Sequence, residues 1–309
     1  MKRYILNRLL QLLIVLIGVS FLTFLLMYIS PSDAAQKKLN SQGIAVSREV
    51  IEKEQESLGL NRPFAVQYGD WLLGALRGDL GLSYKDGIPV AAKITRAMRY
   101  TLLLSSASLA VSLFISAPLA VISAVRKNGF LDSMIGLFSF LGNSLPNFLI
   151  SVMLMYFFCI KLRLLPVIAD ESLKGLLLPC LALSIPMCAR FIRQFRALIL
   201  EELSKEYVLA ARVRGTRERY IIWGGVVHNS LPSIMTIVAL ATGTLFGGSV
   251  VIESIFRWPG LGKLAMDSIT ARDYPVIQGF VLFSSLVYGM INLFTDILYR
   301  LIDPRVREG

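Results

Sequence analysis

Residues Glu206 to Pro232 read EYVLAARVRGTRERYIIWGGVVHNSLP, the longest strongly charged interruption in the second half of a very apolar chain. Lys205, Arg212, Arg214, Arg217 and Arg219 outnumber Glu206 and Glu218. That surplus places the stretch on the cytoplasmic side of a membrane, because positive charge is retained there. Tyr207, Val208, Ala210 and Ala211 form a small, mildly apolar patch at helical spacing, and Gly215 can end that short helix in a left-handed cap. Two alanines and a glycine let another surface approach the backbone closely. The stretch reads as a docking helix, against the plainer alternative of a basic connecting loop.

Composition sets the class around it. Hydrophobic residues make up 55% of the 309, with formal charge +11 and mean hydropathy +0.62. These values describe an integral membrane protein with basic cytoplasmic faces. Lys2, Arg3 and Arg8 precede an uncharged run from Leu9 to Ser32. That run is about the length of a bilayer span and lacks a small-residue cleavage site, so it reads as a retained first helix with its N-terminus inside.

Residues 31–99 are the one long hydrophilic segment, and the topology puts them outside. Ser47 is a candidate cap for a helix whose apolar face begins at Val50 and Ile51, and Tyr68 to Gly81 reads as an amphipathic interfacial piece. The segment is either a platform for a solute-binding protein or a structural cap on the helices. Further spans follow at Tyr100–Val125, Ser133–Ile160, Gly175–Ala189 continuing past Arg190, Arg193 and Arg196, Ser230–Ile252 and Tyr274–Thr295. The arginine row falls on one helical face and can snorkel to head groups. The chain is therefore expected to be all-α, with six transmembrane helices and both termini cytoplasmic. It divides into an N-terminal helix (1–30), an extracytoplasmic segment (31–99) and a five-helix core (100–309) with the docking loop at 198–229.

Gly142-Asn-Ser-Leu-Pro-Asn147 lies near the centre of the third span. Asn143, Ser144 and Asn147 there either line a pathway or satisfy backbone groups freed by a kink. In the fifth span Gly243, Gly247 and Gly248 permit close helix packing or an open path. Trp258-Pro259-Gly260 reads as a tight turn with an interfacial aromatic. Asp296 near the inner boundary can pair with Arg300 one turn later.

Several chemistries are missing from the sequence. Gly260-Leu-Gly-Lys-Leu lacks the hydroxyl and spacing of a phosphate-binding loop. His228 is the single histidine, and Cys159, Cys180 and Cys188 sit in apolar runs, which suggests packed free thiols and no metal site. No base partners the serine of the third span, so an intramembrane protease is disfavoured. Basic residues gather at helix ends, where topology explains them without nucleic acid. No catalytic residue is expected. A secondary transporter would need intramembrane ionisable groups, of which the span interiors have essentially none. A purely structural scaffold would have no use for the docking loop.

Glu206–Pro232 resembles the cytoplasmic loop of inner-membrane permease subunits of binding-protein-dependent ABC importers. It is closest to the dipeptide, oligopeptide and nickel branch, through Tyr207, Ala211, Arg212, Arg214, Gly215, Asn229, Leu231 and Pro232. It departs at Leu209, where other such permeases carry a glutamate, and at Gly224–His228. Val251–Gly262 with Arg272–Gln278 resembles the segment before the last helix of these permeases, Leu58–Tyr84 their first extracytoplasmic loop, and Leu301-Ile-Asp-Pro-Arg305 their ending.

The resemblance implies a type I importer permease in the membrane of a prokaryote. It implies a second homologous permease, two cytoplasmic ATPases holding ATP and magnesium, and an extracytoplasmic solute-binding protein. This chain itself would carry no cofactor. Tyr207, Ala210, Ala211, Arg212, Arg214 and Gly215 would dock the ATPase. The cargo would be nickel, in chelated form, or short peptides; Val66-Gln-Tyr-Gly-x-Trp and Leu145-Pro-Asn-Phe lean toward nickel.

Overall fold

The computed structural model describes residues 2–29, 48–57, 59, 61–169 and 171–302. Among these, helices dominate: α1 Lys2–Ile29, α2 Arg48–Ser57, α3 Phe64–Leu76, α4 Val90–Val125, α5 Phe130–Ser144, α6 Asn147–Met155, α7 Leu173–Leu203, α8 Glu206–Val213, α9 His228–Phe256, α10 Leu261–Ala271 and α11 Tyr274–Ile302. Five helical stretches are long and apolar enough to cross a membrane, and the bent pair Phe130–Ser144 and Asn147–Lys161 passes the same test when taken together, for up to six. The expected third span is thus two helices meeting at 99°. Leu145 takes extended backbone at the break, since a proline disfavours helical geometry in the residue before it, and Pro146 is extended as well. The expected cap at Ser47 and the side chains of Asp296 and Arg300 lie outside the described residues.

The chain forms two compact units that are discontinuous in sequence. One comprises Met1–Thr101 and Pro259–Met290, the other Leu102–Trp258 and Ile291–Gly309. In the first, α3 lies along α1 through interleaved rings. Phe64 meets Phe21, Phe24 and Tyr28 edge-on, with centroids 5.3–5.7 Å apart. Ser20 Oγ and Tyr68 Oη share a hydrogen bond of 3.0 Å. The amphipathic reading of this piece therefore has a contact: its aromatic face covers α1. Gly289 brings α11 onto α1, since a Cβ there would fall 2.2 Å from Leu12 Cδ1. Val90, Ile94 and Ala97 of α4 pack with Leu261 of α10 and Val276 of α11 to form this unit's apolar core.

The second unit is built on α7. Lipid tails give no hydrophobic drive between helices, so close approach and hydrogen bonds hold them together. Ser105, Ser108, Ser112, Ser116 and Ser123 form a buried stripe on α4. Ser108 Oγ donates to the Cys180 carbonyl at 3.4 Å, Ser184 Oγ returns a bond to the Ser108 carbonyl at 3.2 Å, and Ser112 Oγ donates to the Ser184 carbonyl at 3.4 Å. Cys159, Cys180 and Cys188 are buried free thiols, as expected.

The arginine row divides. Arg190 and Arg193 are exposed, but Arg196 turns back instead of snorkelling. Its Nε and Nη2 donate to both oxygens of Asp132, at 2.8 and 2.7 Å. Ser123 Oγ and the Asn128 N–H also donate to that carboxylate, at 2.5 and 2.9 Å. A planar guanidinium matches a carboxylate with two parallel bonds, and the partly buried site excludes the water that would otherwise compete.

Candidate functional site

The docking stretch forms a helix and a turn held from beneath. α8 runs from Glu206 to Val213. Its end is a Schellman motif: the Gly215 N–H donates to the Arg212 carbonyl at 2.9 Å and the Thr216 N–H to the Ala211 carbonyl at 3.1 Å. Gly215 sits at φ +74°, the left-handed conformation that costs a side chain about 1 kcal/mol or more. Val208 is fully buried in a core with Ala124 of α4 and Phe195 and Ile199 of α7, while Tyr207 and Ala211 pack against the same core. Gly225 lies under the Tyr207 ring, within 3.4 Å of where its Cβ would be. Burial, with the carboxylate of Glu202 nearby, pushes the Tyr207 hydroxyl above its ordinary pKa.

The six expected docking residues therefore split in two. Tyr207 and Ala211 anchor the helix, while Ala210, Arg212, Arg214 and Gly215 are exposed. Arg212 braces the turn: its Nε donates to Glu218 Oε1 at 2.7 Å and its Nη2 to Oε2 at 3.4 Å. Arg214 Nε folds back to the Ala210 carbonyl at 3.3 Å. The outward surface also holds Leu209, Val213, Tyr220 and Trp223, which are 58–81% exposed. Reading the motif by its matched residues misses them. The signal was the helical period, since Leu209 and Val213 stand one turn apart beside inward-facing Val208. An apolar face ringed by arginines suits a protein partner.

Two other matched segments, Leu58–Tyr84 and Arg272–Gln278, meet in the first unit. Arg272 ends α10 at φ +56° and presents Asp273, which is 2% exposed. Ser83 Oγ donates to its Oδ2 at 2.5 Å and the Tyr84 N–H to its Oδ1 at 2.9 Å. Lys93 Nζ donates to Ser83 Oγ at 3.0 Å and to Asp86 at 2.7 Å. Burial and the neighbouring Asp273 carboxylate push the Tyr84 hydroxyl up to about 12. The Arg272–Gln278 stretch and the end of the Leu58–Tyr84 stretch are thus two halves of one clamp, a link that sequence separation concealed. Trp258, expected at an interface, is fully buried.

The pathway candidates lie at helix ends and faces. Asn143 and Ser144 are exposed where α5 breaks, with Ser144 Oγ donating to the Phe140 carbonyl at 2.8 Å, and Asn147 starts α6 half-buried. α6 packs against α9, where Gly243 is buried and Gly247 exposed; the surroundings of Gly248 lie outside the described residues. Among the described residues no three His, Cys, Asp or Glu side chains converge on a point that could hold a metal ion.

Residues 116–308 match the family model described as binding-protein-dependent transport system inner membrane component, and residues 1–105 match its N-terminal companion. The chain belongs to that family. The permease is 39% identical over 302 residues to the nickel import system permease protein NikB of Staphylococcus aureus strain USA300, covering 98% of this chain and 91% of that one. Its counterpart in strain MRSA252 is 40% identical over 303 residues. Among solved structures, the permease resembles a chain of the MetNI methionine ABC transporter in an inward-facing conformation. The TM-score is 0.57 at 16% identity, covering 68% of this chain and 96% of that one. That likeness concerns the fold alone. The permease is accordingly a multi-pass membrane subunit of an ABC importer, and the break between the two matched ranges falls within α4.

Proposed function

We propose that this permease passes nickel, in chelated form, as one half of the membrane path of a binding-protein-dependent importer. The observation that carries the reading is near-full-length identity of 39% to nickel import permeases. With His228 as the chain's single histidine, the cargo's own chelator is the better source of ligands than the path. A second permease of similar fold completes the path, and a solute-binding protein delivers the cargo from outside. Two cytoplasmic ATPases bind ATP and magnesium; this chain supplies no catalytic group and no cofactor.

The exposed face of α8 receives the ATPase. Closure of the ATPase pair on ATP pushes α8, and the core around Val208, Phe195 and Ile199 carries that push into α4 and α7 as a rigid-body shift. ATP's differential affinity for the two states drives the change. Pathway roles for Asn143, Ser144, Asn147, Gly243, Gly247 and Gly248 belong to the same reading.

Uptake of radiolabelled nickel and of a labelled dipeptide, compared in deletion and restored strains, tests the cargo. Loss and rescue of nickel uptake alone is expected. Loss and rescue of dipeptide uptake alone would place the permease with peptide importers and overturn the nickel reading.

A further inference from the structure

The Asp132–Arg196 pair lies within the second unit, and none of the roles above uses it. Asp132 stands in the first turn of α5, just after the left-handed turn at Asn128 (φ +62°), and is 8% exposed. It accepts four bonds: two from Arg196 of α7, one from Ser123 of α4 and one from the Asn128 N–H. Ser123 precedes Ala124 and Arg196 follows Phe195, and both Ala124 and Phe195 belong to the core that packs Val208 of α8. Among the described residues, none of α5 belongs to that core. The carboxylate therefore ties α5 to the two helices that carry the docking helix. At its far end α5 meets α7 through small residues, where a Cβ on Gly142 would fall 3.2 Å from Ala189 Cβ. A small-residue contact lets helices slide, whereas a bidentate pair fixes both distance and angle. Beyond Gly142 come Asn143, Ser144 and the 99° break into α6.

We propose that Asp132 and Arg196 are positioning residues of the transport cycle: their pair makes α5 follow α7 when α8 is pushed, and so moves the α5–α6 break with the ATPases. The proposal rests on the importer reading and names the residues through which the push reaches α5. Desolvation offsets much of the Coulombic gain of a buried ion pair, so what such a pair supplies above all is a fixed geometry. Here that geometry joins the helix carrying Asn143 and Ser144 to the helix that runs into α8. With the pair gone, the push still reaches α4 and α7 through Val208, but α5 is left on its sliding contact at Gly142.

The test uses the complete importer in proteoliposomes with its own solute-binding protein. It compares ATP hydrolysed with radiolabelled nickel or labelled dipeptide taken up. Asp132→Asn combined with Arg196→Gln removes both charges and strands neither. Uptake per ATP is expected to fall about five- to tenfold, while ATP hydrolysis stays within about twofold of wild type. A second variant carries Asp132→Cys and Arg196→Cys in a background where Cys159, Cys180 and Cys188 are replaced by alanine. Reduced, it is expected to be uncoupled in the same way; bridged by a short bifunctional thiol reagent, the same preparation is expected to regain most of its coupling. A support needed only for folding would lower assembly, hydrolysis and uptake together, and bridging assembled protein would restore nothing. Unchanged uptake per ATP in the assembled neutral variant overturns the proposal. So does a cysteine pair whose coupling does not respond to bridging, and so does failure of both variants to assemble with the ATPases. A wild-type complex that captures no ATPase or takes up neither solute contradicts the importer reading itself, a failure seen before any variant is made.

Discussion

The Asp273 clamp and the α8 hairpin are both turns closed by an ion pair, yet they are built in opposite ways. At the clamp the carboxylate is buried and gathers a hydroxyl and a backbone N–H, with a lysine 3.9 Å away. At the hairpin the Arg212–Glu218 pair is about half exposed, and stability comes from Val208 packed beneath it. On the proposed docking role of α8, the difference follows from use. A surface that must hold a loop in place buries its polar groups and pairs them, whereas a surface that must meet a partner keeps its polar and apolar groups outside and its anchors below.

Substitutions can break that contrast. Asp273→Ala leaves the Ser83 hydroxyl and the Tyr84 N–H without their shared acceptor, and should cost about 1–3 kcal/mol for each stranded donor. Thermal unfolding of the purified chain should fall accordingly, with Asp273→Asn losing less. Val208→Ala removes two buried methyl groups from the hairpin's anchor and should cost roughly 2 kcal/mol. Its effect should appear as faster proteolysis at Arg212–Arg219 without loss of the Asp273 clamp. Gly215→Ala strains the turn at φ +74° by about 1 kcal/mol, while Gly215→Glu should also abolish transport and leave membrane insertion intact. Arg212→Ala should change stability by less than about 1 kcal/mol, because its ion pair is solvated. A large destabilisation there would erase the distinction between the two turns.

What the sequence disclosed follows the same contrast. Local patterns were readable: uncharged runs marked the spans, and Gly215 marked the end of α8. Long-range pairings were not. Ser83 and Asp273 lie 190 residues apart, and no periodicity connects them. Arg196 looked like a snorkelling arginine because its partner Asp132 stands 64 residues away on α5. The proline at 146 signalled a kink, but only the meeting of α5 with α6 shows it as a near right angle. In the hairpin, the matched motif mixed anchors with surface, and burial separates Tyr207 and Ala211 from Arg212, Arg214 and Gly215.

The most direct measurement of the docking claim is disulfide or bifunctional thiol cross-linking from Val213→Cys and Leu209→Cys to the ATPase subunit in native membranes, with and without ATP. Efficient cross-links at both positions, changing in yield with ATP, are the predicted result. No cross-link at either position, in membranes where the importer is assembled and transports, would contradict the assignment of α8 as the surface through which ATP moves this permease.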